Sequence, residues 1–93
     1  MKHLLLRSSA FVRAARKLIK RMPHLVDDLA AALEQLEKDP THPSLRTHKL
    51  KGELKGSWAC SAGYDLRIVF RYVRHEGKPA VLLETIGTHD EVY

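Results

Sequence analysis

The stretch Gly63-Tyr64-Asp65-Leu66-Arg67-Ile68-Val69-Phe70-Arg71-Tyr72-Val73 decides the fold, because its alternation fixes both an element and the face that element buries. Successive side chains of an extended chain point to opposite sides. Leu66, Ile68, Phe70 and Tyr72 therefore share one face, and Asp65, Arg67, Val69, Arg71 and Val73 share the other. The spacing predicts a strand over residues 65–73 with its even-numbered face on the core and its odd-numbered face open. Gly63 marks the turn before it, and Ser57 to Ala62 is a short, small, strand-compatible run ahead of that turn. Downstream, His75-Glu76-Gly77-Lys78 reads as a hairpin loop and Pro79 to Ile86 as the returning strand. Gly87 then releases the chain into a polar tail, Thr88 to Tyr93.

Toward the N-terminus the period changes from two to about 3.6 residues. His3-Leu4-Leu5-Leu6-Arg7 is a short apolar run, read as a first strand, and Ser8-Ser9 supplies a helix cap. Phe11, Ala14, Ala15, Leu18, Ile19 and Met22 recur at helical spacing, with Arg13, Arg16, Lys17, Lys20 and Arg21 mostly on the other side. Pro23 cannot continue that helix but can start another, whose stripe is Leu25, Leu29, Ala32, Leu33 and Leu36. Asp27 and Asp28 sit in its first turn, where carboxylates suit the helix dipole. Two prolines in Asp39-Pro40-Thr41-His42-Pro43 end the pair, and a linker runs to about Thr47. The order is strand, two-helix hairpin, then three or four mainly antiparallel strands. This is an α+β fold with helices on one sheet face.

Ninety-three residues allow one domain, 1–93, and leave no room for a second core. A lone cysteine, Cys60, forms no intrachain disulfide, and no apolar run approaches the roughly 20 residues that span a bilayer. A cytoplasmic protein without a membrane partner is expected. The net charge of +5 is segmental. Residues 1–21 hold seven Lys/Arg and no acid, 22–44 one base and five acids, and 45–74 seven bases and two acids. Two basic blocks around an acidic one imply either a polyanion-binding surface or solvated element faces.

Arg67 and Arg71 share the open strand face, roughly 13 Å apart at ordinary strand rise. A guanidinium on a rigid strand can clamp a phosphate and stabilise charge developing on it. The same pattern also describes an arginine paired with an acid of a neighbouring strand. His48-Lys49-Leu50-Lys51-Gly52-Glu53-Leu54-Lys55-Gly56 groups a histidine with Lys49, Lys51 and Lys55 and leads into Trp58. Such a segment can take phosphates on lysines and a base on indole, or be a basic loop beside a core tryptophan. Its glycines match neither a dinucleotide fingerprint nor a phosphate loop. The six histidines lack metal-ligand spacing, and Cys60 reads as a small strand hydrophobe. His89 differs, lying just past a strand beside the terminal Tyr93. Its imidazole is either an acid–base group for RNA cleavage or a surface histidine.

These segments together resemble the RelE/ParE toxin superfamily, in its RelE/StbE branch, over nearly the whole chain. The resemblance rests on the N-terminal strand and helical hairpin, on His48-Lys49-Leu50-Lys51-Gly52, on Gly63 to Arg71, and on Ile86-Gly87-Thr88-His89-Asp90-Glu91-Val92-Tyr93. It implies the toxic half of a type II toxin–antitoxin pair, which enters the ribosomal A site, cuts mRNA there and is neutralised by a cognate antitoxin. By position, Arg67 matches the sheet arginine that holds the scissile phosphate, and His89 a C-terminal acid–base residue. Tyr93 matches a terminal aromatic, and His48 a histidine used by one branch. Lys49, Lys51, Lys55, Arg71 and Trp58 are then RNA-binding candidates. No metal or organic cofactor is implied, since the RNA 2′-hydroxyl is the nucleophile. The chain departs from several members in Ser57-Trp58-Ala59-Cys60-Ser61, where they carry lysines. This leaves Lys49, Lys51 or Lys55 for that role. Two alternatives stand beside the nuclease: a ParE-like inhibitor of DNA gyrase, and an RNA-binding module without catalysis.

Overall fold

The computed structural model describes residues 3–92. Strand β1 (Leu4–Arg7) leads to helix α1 (Ser9–Arg21), a 3₁₀ turn at Pro23–Leu25 and helix α2 (Val26–Lys38). A second 3₁₀ turn, Pro43–Leu45, precedes strand β2 (His48–Lys49). Then come β3 (Trp58–Ala62), β4 (Leu66–His75), β5 (Lys78–Thr88) and a one-turn helix α3 (His89–Val92). Among the described residues these strands make one five-stranded sheet ordered β1-β5-β4-β3-β2, with β1 parallel to β5 and the other pairs antiparallel.

The helical hairpin forms where the sequence predicts it. Ser8 caps α1 by accepting the Phe11 N–H (3.0 Å), Lys20 and Arg21 fall in the last turn, and Asp27 and Asp28 open α2. Phe11, Leu18, Leu29, Ala32 and Leu36 pack on the even-numbered face of β4 (Leu66, Ile68, Phe70), with Cys60, Val81 and Leu83. Each fully buried large side chain in this layer contributes about 1.5–3 kcal/mol.

One irregularity governs the register. Val69 faces Thr85 but Phe70 faces Leu83, so Glu84 is an extra residue on β5. The bulge switches parity, and the core takes Val81 and Leu83 before it but Ile86 after it. A bulged residue leaves the ladder, and here the Ser8 hydroxyl donates to the Glu84 carbonyl (3.0 Å) while capping α1. A single serine thus fixes both the helix start and the bulge.

Several boundaries differ from the sequence reading. The odd-numbered face of β4 is not open throughout: Val69 is 2% exposed, packed with Leu50 and Ala59 and touched by Val92. The segment after β2 and the C-terminal turn fold over it, a long-range contact that no local period reports. Tyr72 keeps 39% exposure at the edge of the even-numbered face, with its ring edge-on to Trp58 (5.3 Å) and Phe70 (5.5 Å). The hairpin loop is only Glu76-Gly77, both at positive φ (52° and 77°), which matches the right-handed strand twist and lets β4 run on to His75. Gly87 stays inside β5, opposite Arg67, and the tail is helical.

Candidate active site

The bulge decides what stands beside Arg67. Past it, Arg67 pairs with Gly87 and Leu66 with Thr88, and the His89 N–H donates to the Asp65 carbonyl (3.0 Å), extending the same register by one step. Chain geometry alone therefore carries His89 to the end of β4 where Arg67 lies. Both line one open cleft of about 590 Å³, with Arg46, Ser61, Tyr64, Asp65 and Asp90 among the other walls.

Within this cleft the Arg67 Nη1 donates to the carbonyls of Leu66 (3.0 Å) and Tyr64 (3.3 Å). That grip uses one terminal nitrogen of a five-donor fork. Among the described residues no carboxylate forms an ion pair with Arg67. A guanidinium fork of this kind can grip a phosphate or a carboxylate through paired N–H groups. Arg46, in the left-handed conformation (φ 51°) after the second 3₁₀ turn, brings a second guanidinium to the same wall. Tyr64, 97% exposed in the turn before β4, lays an aromatic ring at the cleft lip. Sequence reasoning missed Arg46, Ser61, Tyr64 and Asp65 as site residues. Arg46 is an isolated base in a linker, with no periodicity to mark it, whereas Tyr64 had a legible signal as an aromatic in a turn.

The other candidates separate in space. Lys49, Lys51, Lys55 and Trp58 line a second, largely apolar cleft of about 440 Å³ at the β2–β3 end of the sheet. There the Lys49 ammonium lies 5.4 Å from the indole centroid. Trp58 is half-buried, packing on the core and also lining this cleft. Arg71 behaves as the paired arginine that the sequence allowed. Its guanidinium meets Glu84 (3.7 Å) and donates to the Ser57 hydroxyl (3.4 Å), which itself donates to Glu84 (2.6 Å). His48 shares the open face with Ser61 and Arg67, two strand spacings across from Val69 and so two residues along the strands from Arg67, and its Nδ1 lies 3.0 Å from the Arg46 carbonyl. Tyr93 lies outside the described residues.

Burial pushes the Cys60 thiol up to about 12, with Arg67 opposing weakly, so this sulfur is a core atom and no nucleophile at neutral pH. Among the described residues no three His, Cys, Asp or Glu side chains gather as a metal-binding group, and no helix is long and apolar enough to cross a membrane.

Known structures share this architecture. YafQ from E. coli strain BL21(DE3) superposes with a TM-score of 0.76 at 17% identity over 99% of both chains. A conserved hypothetical protein of Helicobacter pylori gives 0.74 at 23% identity over 100% of both. The E. coli DinJ–YafQ toxin–antitoxin complex gives 0.74 at 17% identity, covering 100% of this chain and 99% of that one. No curated protein sequence matches. Likeness at these identities shows the fold. The sequence pattern of one family, described as bacterial toxin of type II toxin-antitoxin system, YafQ, matches residues 5–93. By that match the chain belongs to the YafQ family of type II toxin–antitoxin toxins, a member of the RelE/ParE superfamily.

Proposed function

We propose that this toxin is a ribosome-dependent endoribonuclease that cuts mRNA in the A site, with Arg67 and His89 as its central pair. The observation that carries this reading is their position on the walls of one open cleft. The RNA 2′-oxygen attacks the adjacent phosphorus, the P–O5′ bond breaks, and the products are a 2′,3′-cyclic phosphate and a 5′-hydroxyl. Negative charge builds on the non-bridging oxygens during attack, where the Arg67 fork meets it, and Arg46 adds to the same field. His89 shuttles the proton, taking it from the attacking 2′-hydroxyl and passing it to the departing 5′-oxygen. His48 and Tyr93 take supporting roles in this reading, which for His48 is supported by its position on the same sheet face and for Tyr93 by the resemblance alone. The lysine-rich cleft with Trp58 takes flanking RNA through phosphate contacts and stacking. The cognate partner is a small antitoxin, a reading supported by the family and by the complex that the E. coli relative forms with DinJ.

Purified toxin added to ribosomes programmed with mRNA tests this reading. Removing a charge-stabilising donor costs roughly 10²–10³-fold in rate, and removing a positioned acid or base about 10²–10⁴-fold. Arg67→Ala and His89→Ala are therefore expected to cut at rates lowered by those factors with ribosome binding retained. Wild-type cutting by either variant refutes the assignment, and arrest of DNA supercoiling with intact mRNA would point to gyrase instead.

A further inference from the structure

Helix α3 is four residues long, far too short to be stable alone, yet it carries His89 at its first position. Its order must come from contacts outside itself. The Glu91 Oε1 accepts the Thr88 N–H (3.0 Å), and the Glu91 N–H donates back to the Thr88 hydroxyl (3.4 Å), a reciprocal capping box around His89. The same carboxylate oxygen accepts from Nη2 of Arg21 (3.1 Å), in the last turn of α1. Gly87 eases this approach, since a Cβ there would stand a tight 3.1 Å from the Glu91 Cβ. On the other side the turn is held by the His89 N–H on the Asp65 carbonyl and by Val92 against the Val69 cluster. Hydrogen bonds from the Thr88 backbone and hydroxyl, with Arg21 beside them, hold the Glu91 carboxyl below the ordinary glutamate range, so it is ionised throughout the neutral region. Arg21 and Glu91 are about half exposed and no part of the core.

We infer that Glu91, braced by Arg21, is a positioning residue for His89, locking the backbone turn that delivers the imidazole to the Arg67 cleft. The catalytic consequence rests on His89 being the proton-transfer group, whereas the structural one does not. Glu91 never touches RNA in this scheme. It acts by fixing where the His89 ring starts from, and reacting groups are sensitive to displacements near 1 Å.

The test uses the full-length toxin as Glu91→Ala, Glu91→Gln, Arg21→Ala and His89→Ala. Three quantities are measured: single-turnover mRNA cleavage at saturating ribosomes, ribosome affinity, and amide-exchange protection with His89 ring resonances by NMR in the free toxin. Glu91→Ala is expected to slow cleavage by about tenfold or more at unchanged ribosome affinity and with only a small drop in melting temperature. His89 amide protection should fall and its ring resonances should broaden or shift. Glu91→Gln, whose amide oxygen can still accept the Thr88 N–H, should restore most of the rate, and Arg21→Ala should fall between. If His89→Ala is crippled while Glu91→Ala cuts at the wild-type rate with the His89 amide still protected, the positioning role is overturned. If His89→Ala itself keeps full activity, the catalytic reading fails, and the exchange data alone then decide whether Glu91 orders the turn.

Discussion

Gly63 and Gly77 allow a clean separation of two reasons for keeping glycine, because they share one backbone conformation and differ in what surrounds them. Their φ values are +71° and +77°. A Cβ on Gly77 meets nothing within 4 Å, while one on Gly63 falls 2.7 Å from Cγ and 3.2 Å from Cβ of Asp28 on α2. Alanine at either site is held in the left-handed region at a cost of about 1–2 kcal/mol. At Gly63 the Asp28 side chain must also swing aside and its Cβ give by a few tenths of an ångström, adding roughly 1–3 kcal/mol, as overpacking does. Gly77→Ala should thus lose about 1–2 kcal/mol and Gly63→Ala roughly 2–5 kcal/mol, a large part of the ~5–15 kcal/mol available to a domain. At roughly 4–8 °C per kcal/mol for a chain of this size, the two melting temperatures should differ by at least about 4 °C. Urea unfolding followed by the fluorescence of Trp58, the single tryptophan, gives the same comparison as a free energy. In an Asp28→Ala background the Gly63→Ala loss should shrink toward that of Gly77→Ala. Equal losses at the two glycines in the wild-type background would show that α2 does not press on the β3–β4 turn, and the account of how that turn is set would fail with it.

Three further outcomes follow from particular contacts. Ser8→Ala removes both the α1 cap and the partner of the bulged Glu84 carbonyl, and should cost about 1–3 kcal/mol in chemical denaturation; a loss under a few tenths would mean the bulge does not depend on it. The Cys60 thiol is pushed to about 12 in the fold from an ordinary value of 9.0, so the unfolded chain gives up its proton first as pH rises. This contribution is whole below pH 9 and is lost between about pH 9 and 12, so wild-type stability should fall more steeply across that window than that of Cys60→Ala. Parallel pH profiles would contradict it. Trp58→Ala should weaken binding of a short single-stranded RNA by about 5- to 150-fold, the equivalent of roughly 1–3 kcal/mol of base stacking, with Trp58→Phe retaining most of it. Unchanged affinity would return Trp58 to a purely structural role.

The even-numbered face of β4, both helices and the Ser8 cap were legible because each is a local pattern of period two or 3.6 with a capping residue at its end. Arg67 was legible as a base on the face of β4 opposite its apolar stripe. The reason His89 reaches it was not, because it depends on a one-residue bulge at Glu84, and without that slip Ile86 would stand opposite Arg67 in place of Gly87. Nothing local in Val81-Leu82-Leu83-Glu84-Thr85-Ile86 marks where the extra residue sits. Its stabiliser, Ser8, lies 76 positions away in sequence. Arg46 and the cover that Leu50 gives Ala59 and Val69 were hidden for a similar reason, both residues being brought to the sheet by irregular segments with no period to read. The split of the basic residues into two clefts likewise follows from the β2–β3 pairing, a two-residue bridge below any sequence signal.

The most direct test is the chemistry of the cut ends. Ribosomes carrying a defined mRNA codon in the A site, mixed with wild-type toxin, should release an upstream fragment ending in a 2′,3′-cyclic phosphate and a downstream fragment beginning with a 5′-hydroxyl, without added metal beyond what the ribosome needs. Arg67→Ala and His89→Ala should each lower the single-turnover rate by at least about 10²-fold while still binding the ribosome. Cleavage that proceeds at the wild-type rate in either variant, or ends that carry a 5′-phosphate, would contradict the assignment of this cleft.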